Sequence, residues 1–249
     1  MENDELLRRM RDLAARCGKN CEITQSFFLT PAEQVQVKRW AEFETENILV
    51  LSGGRSECER RAAFFLPYYM DEGDFTPDDW VKLLRVKAYF GEPGHRDYLG
   101  ACLGLGIRRE WLGDIWISGS EAYIFCLPSV AGMLESSLDK VGRCGVKVSE
   151  VTLAEAPAPE IKQKRVTFTV MSPRLDAVLA GMFGVSRSQA SQLIAQGMAS
   201  LNFEVCQKPD AEVAEGDTLS LRGHGKGVVA ECGGVSRKGR MFVGADIFI

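Results

Sequence analysis

Between Ser172 and Lys226 the spacing of apolar residues changes once, from a helical period to a strand period, and the capping residues on either side agree with that change. No other stretch limits the fold as tightly. Ser172-Pro173 forms a helix-start pair, a capping hydroxyl followed by a proline whose missing N–H costs nothing in the first turn. Leu175, Val178, Leu179, Met182 and Phe183 then fall at i, i+3, i+4, i+7 and i+8, one buried stripe that Gly184 ends. Ser186, with Gln189 three residues on, opens a second helix that Gly197 closes. Its apolar residues are Ala190, Leu193 and Ile194, and Arg187, Gln189, Ser191, Gln192 and Gln196 leave a polar, non-acidic face. Beyond Gly197, Ala199, Leu201, Phe203 and Val205 alternate with polar residues, as in a half-buried strand. Lys208-Pro209-Asp210 breaks it, Glu215-Gly216-Asp217 turns, and Leu219 and Leu221 mark a second strand leading into Arg222-Gly223-His224-Gly225-Lys226. The expected order is helix, helix, strand, strand.

Arg174-Leu175-Asp176, Ser186-Arg187-Ser188-x-Ala190, Leu193-Ile194, Gly197, Asn202, Pro209, Gly216-Asp217 and Arg222-Gly223 resemble, in order and spacing, the S4 RNA-binding domain. The chemistry agrees with the resemblance. Arg187 falls in the first turn of a helix, where free N–H groups and the positive dipole end favour a phosphate, and Arg174 precedes the other helix. Arg174, Arg187, Lys208, Arg222, His224 and Lys226 are therefore the expected phosphate contacts, with Ser186, Ser188 and Gln189 offering hydrogen bonds around the helix start. Contacts of this kind position an RNA without reading its sequence.

A net charge of −4 argues against a general polyanion binder until it is divided along the chain. From Ile161 onward 11 lysines and arginines face eight acids, a surplus of three, so the remainder carries −7. Eight cysteines are scattered with no C-x-x-C pair, and the chain has only two histidines. That pattern predicts reduced thiols and neither metal nor cofactor. No apolar run approaches the ~20 residues of a spanning helix, and residues 1–19 lack the apolar core of a signal peptide. A cytoplasmic monomer with no membrane partner is expected.

Upstream, Leu6, Leu7, Met10, Leu13 and Ala14 have helical spacing, and Thr30-Pro31 with Glu33 starts another helix. Asn47 to Leu51 and Ala62 to Tyr69 suggest a hairpin across Ser52-Gly53-Gly54, with Glu57, Glu59, Arg60 and Arg61 as a solvated charged face. Asp71 to Asp79 is an expected linker. From Val81 to Leu153 the predicted order is βαββαβ, the ferredoxin-like plan shared by RNA-recognition-motif domains. In those domains exposed strand aromatics stack bases, but here Glu121 to Cys126 carries Tyr123 and Phe125 without the flanking basic-glycine signature. His95-Arg96-Asp97 is not a kinase loop, because Cys102 stands where the asparagine is needed. Gly104-x-Gly106 is not a dinucleotide fingerprint, because Arg109 occupies the third glycine position. His95, Arg96, Arg108 and Arg109, at the two ends of one helix, form a second candidate RNA surface, for which helix-end capping is the competing reading.

This block, with Ser26-Phe27-Phe28-Leu29, Ser52-Gly53-Gly54 and Glu59-Arg60-Arg61, resembles the YlmH family nearly end to end. The resemblance implies an α+β chain: an N-terminal helix-rich segment with a hairpin (1–78), a central RRM-like plait (79–156), a linker (157–164) and a C-terminal S4 (alpha-L) domain (165–249). It further implies a bacterial, cytoplasmic, non-enzymatic protein that contacts rRNA and tRNA on the large ribosomal subunit and stabilises P-site tRNA in ribosome-associated quality control. Two alternatives stand beside it. An RNA-modifying enzyme carrying an S4 domain needs a catalytic mark, and the one Arg-Leu-Asp, at 174–176, lies inside the module itself. A cell-division-linked interaction scaffold predicts partner binding that ignores salt, whereas a phosphate reader making about four to six contacts has a log–log salt slope near −3 to −5.

Overall fold

The computed structural model describes residues 2–159, 162–235 and 239–248 and shows mixed helix and sheet throughout. The chain divides into two units, Met1–Pro159 and Glu160–Ile249.

The first unit begins with α1 (Glu2–Asn20), β1 (Thr24–Leu29) and α2 (Pro31–Glu44). Thr30 and Glu33 cap α2 reciprocally, the hydroxyl accepting from the Glu33 N–H and the carboxylate accepting from the Thr30 N–H at 2.7 Å. The expected hairpin is present as β2 (Ile48–Ser52) and β3 (Arg61–Leu66), and β1, for which the periodicity gave no sign, adds to the other edge of β3 in the order β1-β3-β2. Then come β4 (Lys82–Ala88), α3 (His95–Gly104), β5 (Leu112–Ser118), β6 (Glu121–Cys126), α4 (Pro128–Ser137), β7 (Lys140–Val141) and β8 (Cys144–Val151). Their antiparallel sheet has the order β5-β6-β4-β8-β7.

Strand alternation assigns two cores to this sheet. Leu84, Val86, Ala122 and Ile124 face Tyr98 and Cys102 of α3 and Val130, Ala131 and Leu134 of α4. Leu83, Tyr123 and Phe125 point the other way, into a core shared with Trp116 and with Phe28 and Phe64 of the N-terminal sheet. Tyr123 and Phe125 are therefore buried, at 8% and 0% exposure, and no base can stack on them. Asp71 to Asp79 also departs from the expected linker: it forms short 3-10 turns, and Phe75 packs on Phe64 with ring centres 4.6 Å apart.

The second unit contains β9 (Gln163–Val170), α5 (Leu175–Phe183), α6 (Arg187–Ala195), β10 (Ala199–Leu201), β11 (Glu204–Val205), β12 (Thr218–Leu221), β13 (Gly225–Val235) and β14 (Met241–Phe248). One sheet holds the strands in the order β11-β10-β12-β13-β14-β9, so the two expected strands are extended by a long hairpin and by the strand that opens the unit. Of the expected linker 157–164, Glu160 and Ile161 lie outside the described residues, and Gln163 and Lys164 already belong to β9. The helical stripe is buried as predicted through Leu175, Val178, Leu179 and Met182, whereas Phe183 is partly buried and packs against that core. Helix α5 crosses β9 so closely that a side chain at Gly181 would run into the Phe168 ring.

Two local expectations are corrected. Helix α5 starts at Leu175 with Arg174 as its N-cap, because Pro173 is held in extended chain, its carbonyl accepting from the Val213 N–H at 2.8 Å. The run from Ala199 to Val205 is a hairpin and not one strand. Asn202 and Phe203, both at positive φ (50° and 70°), make its two-residue turn. The Asn202 side chain stabilises that turn by donating to Asp217 at 2.8 Å and accepting from the Thr218 N–H at 2.9 Å.

Candidate nucleic-acid interface

Asp176 is the second residue of α5 and, at 4% exposure, a buried carboxylate. Such a group must be paired. Its two oxygens accept from Arg187 Nε and Nη2 at 3.1 and 3.2 Å, from Arg174 Nε and Nη2 at 3.3 and 3.5 Å, and from Ser191 Oγ at 3.4 Å. Burial pushes this carboxyl up, but the hydrogen bonds and charge of Arg187, with those of Arg174, outweigh it and hold the group below the ordinary aspartate range. The arginine side chains remain 54% and 41% exposed. The carboxylate thus fixes two guanidinium groups in place while part of each stays open to solvent. Asp176 was named by the sequence only as one letter of a pattern. Its role depends on contacts 11 and 15 residues away, and a buried acid in an apolar helix is the one local sign of it.

Helix α6 supplies the rest of this end. The Ser186 hydroxyl accepts from the Gln189 N–H at 3.1 Å and lies 3.1 Å from the Ser188 hydroxyl. The Gly197 and Met198 N–H groups return to the carbonyls of Ile194 and Leu193, a glycine-terminated helix end as expected. Lys208 is exposed in the loop whose Pro209 and Ala211 carbonyls accept from the Asp176 and Leu175 N–H groups, so it adjoins the start of α5. Arg222 and His224 are exposed on the turn from β12 to β13. Lys226 follows on β13, its ammonium 5.1 Å from the centre of the Phe248 ring. A groove of about 440 Å³ beside that turn is lined by Met198, Ser200, Ser220, Arg222 and Gly223.

The second candidate surface divides. His95 is the first residue of α3 and Arg96 the next, both exposed. Arg108 is also exposed, lying 5.6 Å from the Trp111 ring centre and 3.8 Å from Glu110. Arg109 turns inward, where its Nη1 donates to the carbonyls of Leu112 and Gly113 at 2.7 and 3.0 Å. Partial burial and the charge of Arg109 push the His95 imidazole down. Arg60 and Arg61, expected on a solvated face, also bind main chain: Arg60 donates to the Phe28 carbonyl at 2.8 Å and Arg61 to those of Cys58 and Ser56. Asp114 completes this region by accepting the N–H groups of Glu59 and Arg60 at 2.6 and 3.1 Å.

Residues 173–219 match the family model described as “S4 domain”, and residues 79–155 match “Putative RNA-binding domain in YlmH”. The fold and these matches define a two-unit α+β protein in which a YlmH-type domain precedes an S4 domain. A Bacillus subtilis (strain 168) protein named ribosome-associated protein quality control protein P2 is 32% identical over 213 residues, 85% of this chain and 82% of that protein. The solved structure of the cell division protein YlmH from Streptococcus pneumoniae is similar in fold, with a TM-score of 0.56 and 19% identity over 64% of this chain and 96% of its own. The chain belongs to the YlmH family. Among the described residues no helix is long and apolar enough to cross a membrane.

Proposed function

We propose that this protein is a cytoplasmic, monomeric, non-enzymatic RNA-binding factor that associates with the large ribosomal subunit and stabilises P-site tRNA during quality control of stalled chains. The observation that carries the proposal is the pair Arg174 and Arg187, fixed on one buried carboxylate at the start of α5 with donors left toward solvent. Guanidinium groups held in this way match phosphate oxygens at little further entropic cost. The name of the Bacillus subtilis relative supports the ribosomal setting. Further phosphate contacts would come from Lys208, exposed in the loop bonded to the start of α5, and from Arg222, His224 and Lys226 on the β12–β13 hairpin, with Ser186, Ser188 and Gln189 offering hydrogen bonds at the N-terminus of α6.

Arg187→Glu is expected to weaken binding to rRNA or tRNA more than ten-fold, above ~1.4 kcal/mol. Sedimentation of the tagged protein with 30S, 50S and 70S fractions, followed by sequencing of bound RNA, gives the companion result: co-migration with 50S and recovery of large-subunit rRNA and tRNA. A folded Arg187→Glu variant that binds RNA as the parent does, or a protein that stays at the top of the gradient, refutes the proposal.

A further inference from the structure

In the first unit four side chains from three separate segments are joined by successive ring contacts. The Arg9 guanidinium of α1 lies 4.6 Å from the ring centre of Phe27 on β1. The Phe27 ring is 6.3 Å from that of Trp111, in the 3-10 turn before β5, and Arg108 follows 5.6 Å beyond Trp111. Arg9 and Arg108 are exposed, and both rings are half-buried. Arg9 has no ion pair among the described residues, although Glu5 and Asp12 share its helix; Arg108 has a single long one, to Glu110.

A guanidinium held over an aromatic ring spends no N–H donor on that contact, so its donors stay available for another acceptor. An arginine held this way has already lost much of its rotamer freedom, which lowers the cost of meeting a phosphate. The RNA-recognition-motif route to RNA is closed here, since the aromatics of β6 are covered by the N-terminal sheet. Adding the N-terminal sheet brings Arg9 and Phe27 beside Arg108 and Trp111. The competing role, fastening α1 to β5, would not require the two ends of the series to be cationic and exposed.

We infer that this arginine–aromatic ladder, Arg9–Phe27–Trp111–Arg108, is a second RNA-backbone contact surface, with the two arginines binding phosphates of a structured RNA. The inference rests on the RNA-binding reading above and adds a site in the first unit to it. The test is binding of a labelled tRNA by the full-length chain at a series of salt concentrations, for the parent, Arg9→Glu/Arg108→Glu, Arg9→Lys/Arg108→Lys and Arg187→Glu. Loss of two phosphate contacts should make the log–log salt slope of the Glu pair shallower by about 1.5, with affinity at least ~10-fold lower. The Lys pair should keep the parent slope and lose about three-fold in affinity, because charge remains but the planar donor does not. If Arg187→Glu weakens binding while the Glu pair retains parental slope and affinity, the ladder only fastens α1 and the inference falls alone. If the parent shows no salt-dependent binding, the RNA reading falls with it. Should the Glu pair fail to fold, unchanged affinity in the Lys pair overturns the inference.

Discussion

Each unit contains two arginines and one aspartate drawn together, and the two groups use the same chemistry in opposite directions. In the second unit Asp176 binds the arginines themselves, so Arg174 and Arg187 are locked by side-chain contacts and remain about half exposed. In the first, Asp114 binds main-chain N–H groups of Glu59 and Arg60, while Arg60 and Arg109 donate to main-chain carbonyls. What separates a solvent-facing arginine from one drawn into the framework is the identity of its acceptor. A carboxylate orients the guanidinium and leaves donors toward solvent, whereas carbonyls of two strands, β1 and β5, draw Arg60 and Arg109 into the framework, where both are partly buried.

The largest expected effect is at the structural cluster. Asp114→Ala leaves two N–H groups without their acceptor and takes one carboxylate from beside Arg60 and Arg109, Glu33 and Glu110 remaining near Arg60, and should cost about 2–4 kcal/mol in urea unfolding. Its RNA salt slope should not change. Asp176→Ala should cost less, about 1–3 kcal/mol, since both arginines can turn to water. This variant also gives the sharpest break in the comparison. Deleting an acid makes the site more positive, so a purely electrostatic surface would bind tRNA more tightly; a surface that depends on fixed guanidinium geometry should bind several-fold more weakly, as titration by fluorescence anisotropy would reveal. Arg187→Lys is smaller again, an expected loss of about three-fold with the salt slope retained, because an ammonium keeps the charge but not the two-pronged grip on Asp176.

The smallest effects concern pH and separate the units by window. The folded-state pKa of His95 is lowered, so its contribution is present above its unfolded value of about 6.5 and is lost as pH falls below it. Asp176 is also lowered, so its contribution persists down to about pH 4 and is lost only as pH falls further, through the folded value. Melting temperatures measured from pH 8 to 3 should therefore show a shallow decline starting near pH 6.5 that His95→Asn removes, and a later one that Asp176→Asn removes. A single decline insensitive to both substitutions would erase the distinction.

Local sequence alone determined most of the helical part of the C-terminal module. Apolar spacing from Leu175 to Met182, the Ser186 cap and the glycines at 184 and 197 depend on neighbours within about five residues, and all are present in the structure. The same holds for the Thr30–Glu33 cap and for the main helices and strands from Lys82 to Val151, except that the second helix ends at Ser137 and residues 140–141 form the added short strand β7. Tertiary structure decided the remainder. Whether Tyr123 and Phe125 meet bases or a second sheet is not written in their alternation, since a strand covered on both faces reads as the same apolar run as an open aromatic face. Arg109 and Arg187 are both arginines near the starts of short helical segments, yet Arg109 turns to carbonyls three and four residues on, whereas Arg187 reaches Asp176, 11 residues back on another helix, a partner that only the packing of α5 against α6 brings near. Long side chains choose partners by proximity in space, and local period carries no record of it.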